Sequence, residues 1–243
     1  MTLRPLPLIT RRPEEIPDLV DLSAHFGPGA PPPLPVLVEP PALAVTDPSD
    51  EPLVDLAHPR ILRLSSYWHA GWTRATPRTL LRSGAAASLE VAAESLPWEW
   101  GLAVFDAWRP LDMQIELYEA AYADPSLPPG FVARPSTDPT LPPPHLTGGT
   151  VDVTLTWRGI PLELGTPFDH FGPEARADSL EDRPGPSREL RRVLHRAMSG
   201  AGFVVLDCEW WHYELGTGRW AAITGVEPRY GAAGLTTPDP ART

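Results

Sequence analysis

Thr150-Val-Asp-Val-Thr-Leu-Thr-Trp157 is the stretch of sequence that decides the fold. Apolar and polar side chains alternate along it, which is the period of a β-strand. The apolar positions are Val151, Val153 and Leu155, and the polar positions are Asp152, Thr154 and Thr156. We therefore predict a strand here, and on this pattern alone its polar positions would face solvent.

Helices and further strands are predicted on both sides of this stretch. Apolar residues recur at helical spacing in three segments, two of which have a proline where the helix would start. The predicted helices cover residues 76–96, 110–123 and 187–199, and the predicted strands cover residues 36–38, 101–106, 203–206 and 209–215. Because these elements do not alternate in a βαβ rhythm, we predict an α+β fold with a mainly antiparallel sheet flanked by helices.

Proline marks the irregular parts of the chain, with 33 prolines in 243 residues. A proline has a fixed φ and no backbone donor, so the segments 28–41 and 125–144 should be extended loops. We predict an irregular proline-rich N-terminal arm over residues 1–60, a single compact domain over residues 61–230 and a C-terminal tail over residues 231–243.

The composition excludes several classes of function. A net charge of −11 argues against nucleic acid as the main partner, since phosphate binding needs clustered Lys and Arg. Cys208 is the single cysteine, so neither an internal disulfide nor a cysteine-based zinc site can form. No stretch has the apolar length of a membrane span or a signal peptide. We expect a cytoplasmic protein without a membrane partner, and its oligomeric state is open.

Three short motifs carry residues suited to hydrolytic chemistry. The first joins His145 to Asp152, the second is Glu209-Trp-Trp-His212, and the third is Asp106-Ala-Trp-Arg109-Pro110. A hydrolytic zinc site needs about three His, Asp or Glu ligands, a carboxylate beside the attacking water and a cation for the oxyanion. The motifs supply one such set: His145, Asp152 and His212 as zinc ligands, Glu209 as general base and Arg109 as oxyanion partner.

The spacing of these motifs sets two conditions on the backbone. Gly148 and Gly149 would let the turn after His145 bring that side chain back towards the strand. On a regular strand Glu209 and His212 are three residues apart and point to opposite faces. They can share a site only if a bulge or a sharp twist intervenes, so we predict an irregular strand there.

Each of these residues has a simpler explanation when it is taken alone. His145 could be a surface-loop histidine, and Asp152 could lie on a solvent-facing strand position. Arg109 could pair with Asp106 at a helix start, and the tryptophans beside His212 could form an apolar corner of the core. The joint occurrence of all the motifs in one chain favours the metal site.

The motifs resemble those of the D-alanyl-D-alanine dipeptidases, the VanX-like branch of the M15 zinc peptidases. That branch has a Tyr/Trp-Arg-Pro segment, then His-x6-Asp and then Glu-x-x-His. The corresponding segments here are Ala107-Trp-Arg-Pro110, His145 to Asp152 and Glu209-Trp-Trp-His212. Gly165-Thr-Pro-Phe-Asp-His-Phe171 is a supporting match, and the resemblance covers about residues 60–220.

The resemblance implies a compact zinc peptidase domain that hydrolyses a small dipeptide such as D-Ala-D-Ala. It implies Zn²⁺ as the cofactor, with His145, Asp152 and His212 as its ligands. Glu209 would act as general base and later as general acid, and Arg109 would stabilise the tetrahedral intermediate. Asp169 would receive the free amino group of the substrate, because an ion pair to an ammonium selects a free N-terminus.

Two departures from the family pattern leave the substrate open. Pro143 stands where the family often has a serine, and Trp68-His-Ala-Gly-Trp72 replaces its usual Asn-Phe-x-Gly region. One alternative is an M15 D,D- or L,D-carboxypeptidase that acts on muramyl peptides. Another is a non-catalytic metal-binding interaction protein on the same scaffold, against which the presence of Glu209 and Arg109 counts.

Overall fold

A computed structural model of the chain describes residues 10–29, 31–125, 127, 130 and 132–234. Its strands are β1 (Leu53–Asp55), β2 (Ile61–Arg63), β3 (Leu80–Arg82), β4 (Trp100–Asp106), β5 (Thr150–Trp157), β6 (Ile160–Pro161), β7 (Val204–Leu206) and β8 (Glu209–Glu214). Its α-helices are α1 (Ser23–Phe26), α2 (Ser66–His69), α3 (Ser83–Glu94), α4 (Leu111–Tyr122), α5 (Pro186–Gly200) and α6 (Gly218–Thr224). Short 3₁₀ helices cover Pro13–Glu15, Pro17–Leu19, Pro144–Thr147 and Pro173–Ala175.

The main sheet has the strand order β2-β4-β5-β8-β7, with β6 paired to β5. Among the described residues its pairings are antiparallel except that of β2 with β4, which is parallel. A separate two-stranded sheet pairs β1 with β3 in antiparallel orientation. The predicted α+β fold is confirmed, with a mixed main sheet.

The central strand β5 is buried along its whole length. Helix α3 packs on β4, helix α5 packs on β5, and the two helices contact each other. One polar position of the strand has an internal partner, since Thr154 Oγ1 donates to the carbonyl oxygen of Leu162 at 2.7 Å. The predicted strand is confirmed. Alternation alone would place its polar positions in solvent, and this expectation is wrong, because the chain covers both faces of the strand.

The segment predicted as one helix over residues 76–96 is divided in the structure. Residues 80–82 form β3, whose three residues are buried and pair with β1. The helix begins only at Ser83. The leucines of β3 fit a helical pattern as well as a strand, and their pairing partner lies at residues 53–55, outside the window in which that pattern was found.

The strand predicted at residues 36–38 is absent. Residues 31–45 lie outside any helix or strand, and Val36 is 92% exposed. Pro35 and Pro40 flank the segment, and neither can donate a backbone hydrogen bond to a neighbouring strand. The predicted helices and strands at 101–106, 110–123, 187–199, 203–206 and 209–215 are confirmed to within a residue at each end.

The described part of the N-terminal arm packs on the domain through a few apolar side chains. Ile16 and Leu19 are buried in the main core. The backbone N–H of Arg11 donates to the carbonyl oxygen of Pro161 at 3.0 Å. The domain boundaries at residues 60 and 230 stay a prediction, and residues 235–243 of the predicted tail lie outside the described residues.

The turn that precedes β5 depends on two glycines, as the sequence predicts. Gly148 has a φ of +71°, in the left-handed region that favours glycine. A Cβ at Gly149 would lie 2.3 Å from the carbonyl oxygen of Leu215, which is a backbone atom just after β8. The backbone N–H of Leu215 in turn donates to the carbonyl oxygen of Gly149 at 2.9 Å. The glycines therefore allow the two strands to approach closely beside His145.

We predict that Gly149→Ala lowers the free energy of unfolding by about 1–3 kcal/mol or more, because a backbone segment must move to admit the methyl group. Gly200→Ala is the control, since a Cβ at this end of α5 meets nothing within 4 Å. The control should leave stability unchanged or raise it slightly. Denaturant unfolding of the metal-free proteins measures both values, and equal stabilities would contradict the close approach.

Candidate metal centre

Three buried side chains converge between β5, β8 and the 3₁₀ helix Pro144–Thr147. The ligand-type atoms of His145, Asp152 and His212 all lie within 4.8 Å of one another. His145 Nε2 is 3.4 Å from Asp152 Oδ2, and His212 Nδ1 is 3.2 Å from Asp152 Oδ1. The structure thus brings together the three residues that the sequence indicates as metal ligands.

Backbone pairing and one hydrogen bond orient these side chains. Asp152 and His212 are direct partners in the register of β5 and β8, and opposed side chains in an antiparallel pair are close neighbours. The Nδ1 atom of His145 lies 2.7 Å from the carbonyl oxygen of Ala107, just after β4. Because a carbonyl oxygen only accepts, Nδ1 carries a proton, and Nε2 is left to face Asp152.

The donor set fits a divalent metal ion. Asp152 Oδ1 is buried and has no hydrogen-bond partner among the described residues, although His212 Nδ1 is within 3.2 Å. A buried carboxylate oxygen without a hydrogen bond is costly, and a bound cation would satisfy it. Two imidazoles and one carboxylate also resemble the three-ligand sets of catalytic zinc sites, which leave one position open.

An irregularity in β8 places Glu209 in the same cavity as His212. Val205 pairs with Tyr213, but the next residue of β7, Leu206, pairs with Glu209. The predicted irregular strand is therefore confirmed, and Glu209 Oε2 lies 3.6 Å from His212 Nδ1. Burial raises the pKa of Glu209 to about 8, and the charge of His212 opposes this shift. A carboxyl group with a pKa near neutrality can both accept and release a proton.

Arg109 is buried beside the ligands and is held by two other residues. Its Nε donates to Asp106 Oδ2 at 2.9 Å and its Nη1 donates to Gln114 Oε1 at 2.9 Å, while its Nη2 forms an ion pair with the same Asp106 oxygen at 2.8 Å. The two hydrogen bonds use two of its five N–H groups. Its Nη2 is 3.8 Å from Asp152 Oδ2. The ion pair between Arg109 and Asp106 thus exists. Arg109 still has N–H donors that an oxyanion near the candidate ligands could accept from.

Asp169 reaches the same cavity from the loop between β6 and α5. The preceding residue, Phe168, anchors this loop by stacking on Phe105 with ring centroids 4.5 Å apart. Asp169 itself has a φ of +59°, an uncommon backbone conformation for a residue other than glycine. Burial raises the pKa of Asp169 to about 7, although the Tyr67 hydroxyl donates to its Oδ2 at 2.8 Å and lowers it.

Glu214 is a functional candidate that the sequence analysis missed. Its Oε1 lies 3.1 Å from His212 Nε2, the ring nitrogen that does not face Asp152. The Thr217 hydroxyl donates to the other carboxylate oxygen of Glu214 and fixes its orientation. Histidine ligands of metals commonly donate their second N–H to such a carboxylate. The sequence signal that could have indicated Glu214 is its two-residue spacing from His212, because residues two apart on a strand lie on the same face.

One cavity of about 160 Å³ is lined by the three candidate ligands together with Arg109, Asp169, Glu209 and Glu214. A cavity of this size has room for several water molecules. Leu117 and Val132 supply apolar parts of the wall. Tyr67 also lines the cavity, and the sequence analysis missed it because it belongs to none of the motifs. The cavity therefore suits a small molecule with polar ends.

We predict that Glu214→Gln weakens Zn²⁺ binding by about 10- to 100-fold, because the carboxylate orients His212 and makes it a more basic ligand. Competition with a chromophoric chelator measures the affinity. Glu119→Gln is the matched control, since this residue lies exposed on α4. The role assigned to Glu214 would be wrong if both variants bound Zn²⁺ as tightly as the unmodified chain.

Comparison with known proteins gives an independent result. Residues 72–224 match the Peptidase_M15 family, described as D-Ala-D-Ala dipeptidase. The D-alanyl-D-alanine dipeptidase of Escherichia coli (strain K12) is 33% identical over 115 residues, which cover 47% of this chain and 54% of that protein. The D-alanyl-D-alanine dipeptidase of Synechocystis sp. is 26% identical over 176 residues, which cover 58% of this chain and 71% of that protein. The chain thus spans about half the length of the Escherichia coli relative.

The matched segment contains the three candidate metal ligands and the carboxylates Asp169 and Glu209. His145, Asp152, Asp169, Glu209 and His212 all lie between residues 72 and 224. Within the described residues, no helix has the length and apolar character needed to cross a membrane. Because the family match covers more than half of the chain, this protein belongs to the D-Ala-D-Ala dipeptidase family of the M15 peptidases.

Proposed function

We propose that this protein is a zinc-dependent dipeptidase that hydrolyses a small dipeptide such as D-Ala-D-Ala. The observation that carries the proposal is the convergence of His145, Asp152 and His212 within 4.8 Å, with Glu209 at 3.6 Å from His212. Zn²⁺ is the proposed metal because two imidazoles and one carboxylate suit it. Membership of the family and the names of both relatives support the reaction and the substrate.

The proposed mechanism assigns one task to each polar residue around the ligands. Zn²⁺ would supply a Lewis acid that acidifies a water molecule and polarises the scissile carbonyl. Glu209 takes the proton of the attacking water and delivers it to the leaving amine. Arg109 donates to the carbonyl oxygen as it becomes an oxyanion. Asp106 and Gln114 fix Arg109 beforehand, so it needs little reorganisation during the reaction.

Asp169 is proposed to bind the ammonium group of the dipeptide. Asp169 is 8% exposed, and an ion pair is stronger when water is excluded from it. A peptide extended at its amino end would place a neutral amide against this carboxylate and lose that ion pair. The site would therefore select substrates of dipeptide length.

Two alternatives receive less support from the same cavity. A carboxypeptidase acting on muramyl peptides would need room beyond Asp169, whereas Asp169 is buried and hydrogen-bonded to Tyr67. A non-catalytic metal-binding protein would need neither Glu209 nor Arg109 beside the ligands. Both considerations favour the dipeptidase.

The proposed catalytic domain is residues 61–230, which contain the whole matched segment 72–224. A small dipeptide is the proposed partner, and we propose neither a nucleic-acid nor a membrane partner. The cytoplasmic location stays a prediction.

Metal analysis combined with a ninhydrin-type assay tests this function. The purified protein should contain about one Zn²⁺ per chain and should hydrolyse D-Ala-D-Ala until a chelator removes the metal. L-Ala-L-Ala and a muramyl pentapeptide serve as comparison substrates. Release of alanine from the pentapeptide at a comparable rate would support the carboxypeptidase instead. Absence of hydrolysis of all three would support the non-catalytic protein.

The general base is tested by Glu209→Gln, which removes the proton acceptor and keeps the size of the side chain. We expect kcat to fall by about 10²- to 10⁴-fold while the Zn²⁺ content stays the same. Glu119→Gln on the exposed face of α4 should keep full activity. Unchanged hydrolysis by a zinc-loaded Glu209→Gln protein would rule out this assignment.

The pH dependence of KM tests Asp169, whose pKa burial raises to about 7. Below this value the carboxyl group is protonated and cannot pair with an ammonium, so KM should rise by up to about tenfold per pH unit as the pH falls. Asp169→Asn should raise KM at about pH 8 and should remove this dependence. Steady-state kinetics between about pH 5.5 and 8 measure both profiles. Parallel KM profiles for the two proteins would contradict the proposed ammonium contact.

A further inference from the structure

Arg219 lies in the wall of the candidate site, and it belongs to none of the sequence motifs. Under the proposed function, on which this inference rests, the substrate is a zwitterion whose carboxylate needs a partner of its own. The acidic residues that line the cavity are Glu39, Asp152, Asp169, Glu209 and Glu214. Near these carboxylates a substrate carboxylate is repelled unless a cation lies beside it.

Two arginines, Arg109 and Arg219, line the cavity among the described residues, and Arg109 is the one held beside the candidate metal ligands. Arg109 donates to Asp106 and Gln114 and lies 3.8 Å from Asp152. Its remaining donors are therefore next to the metal ligands, where the scissile carbonyl is placed. This leaves Arg219 as the cation for the carboxylate.

The guanidinium group of Arg219 is not saturated by its neighbours. Its Nε is buried and has no hydrogen-bond partner among the described residues, although Glu214 Oε1 is 3.2 Å away. Its Nη1 lies 3.6 Å from Glu39 Oε1, which is longer than a hydrogen bond. The side chain of Glu39 is 37% exposed, so this loose contact can be displaced. Arg219 thus has donors to offer to an incoming carboxylate.

Asp169 and Arg219 lie at opposite ends of a continuous series of contacts. From Asp169 the contacts pass through Tyr67 and Arg109 to Asp152. From Asp152 they pass through His212 and Glu214 to Arg219. Along this series of contacts the candidate metal ligands come between the two charged residues, in the same order as the scissile amide of a dipeptide comes between its ammonium and its carboxylate.

We infer that Arg219 binds the α-carboxylate of the C-terminal residue of the dipeptide. A guanidinium group presents paired N–H donors that match the two oxygens of a carboxylate. The side chain of Arg219 is 26% exposed, so it is accessible from the cavity and still partly shielded from water. Asp169 and Arg219 together define a substrate with both termini free.

The kinetics of D-Ala-D-Ala and of its C-terminal amide test this inference, because the amide keeps the ammonium and the scissile bond but lacks the carboxylate. Arg219→Leu should lower kcat/KM for D-Ala-D-Ala by about 10- to 100-fold and leave kcat/KM for the amide unchanged. Arg219→Lys should recover part of the loss. Arg63→Leu is the matched control, since this side chain is 50% exposed on β2 and should tolerate the change.

The Zn²⁺ content of each variant is measured alongside, because Arg219 also contacts Glu214. An equal loss of kcat/KM for both substrates, or a loss of Zn²⁺ in proportion to activity, would show that Arg219 acts on the metal site and would overturn the inference. Inactivity of the unmodified, zinc-loaded protein towards D-Ala-D-Ala would instead refute the proposed function, and this inference with it.

Discussion

The burial of Asp152 is the constraint on which the rest of the site depends. Asp152 is 2% exposed, and an isolated carboxylate in such a position would lose several kcal/mol of hydration free energy. Burial alone would raise the pKa of Asp152, but His145 and His212 hold it well below its usual range. Strand β8 and the 3₁₀ helix Pro144–Thr147 therefore bring one imidazole each to Asp152. The oxygen that still has no hydrogen bond makes a cation the natural completion of this cluster.

Irregular strand pairing on both sides of β5 places Asp106 and Glu209 near Asp152. On β4 the register shifts between Val104 and Asp106, so that Asp106 is the partner of Asp152. Two carboxylates side by side repel each other, and Arg109 relieves this repulsion because it contacts both. On the other side, the irregularity of β8 turns Glu209 into the cavity. A fully regular sheet would separate these side chains between its two faces.

The sequence predicts those parts of the site whose residue types have few other uses in such a pattern. His145, Asp152 and His212 could be predicted as ligands because hydrolytic metal chemistry restricts the ligand types and because the motifs occur together. Glu214 could not, since a glutamate two residues after a histidine usually marks only a polar strand face. Tyr67 acts through Asp169, about 100 residues further along the chain, so only the folded structure shows their contact.

Dependence on partners far away in the sequence also explains the errors in the predicted helices and strands. Local periodicity identifies α4 and α5 because their stability depends mainly on one apolar face of each helix. It fails for β3, whose leucines form a strand only because β1 is available to pair with them. It fails also for residues 36–38, where a short apolar run is isolated by flanking prolines. A pattern within one segment cannot report whether a distant segment supplies the hydrogen bonds.

The acidic character of the cavity links metal binding, substrate binding and proton release. Carboxylates outnumber guanidinium groups in its wall, and burial raises the pKa of Asp169 and of Glu209 into the neutral range. Both groups therefore carry protons part of the time in the metal-free protein near pH 7. A divalent cation favours the ionised form of Glu209, and a substrate ammonium favours that of Asp169, because an opposite charge lowers the pKa of a carboxyl group. Metal and substrate would thus each release a proton and produce the carboxylates that the proposed reaction requires.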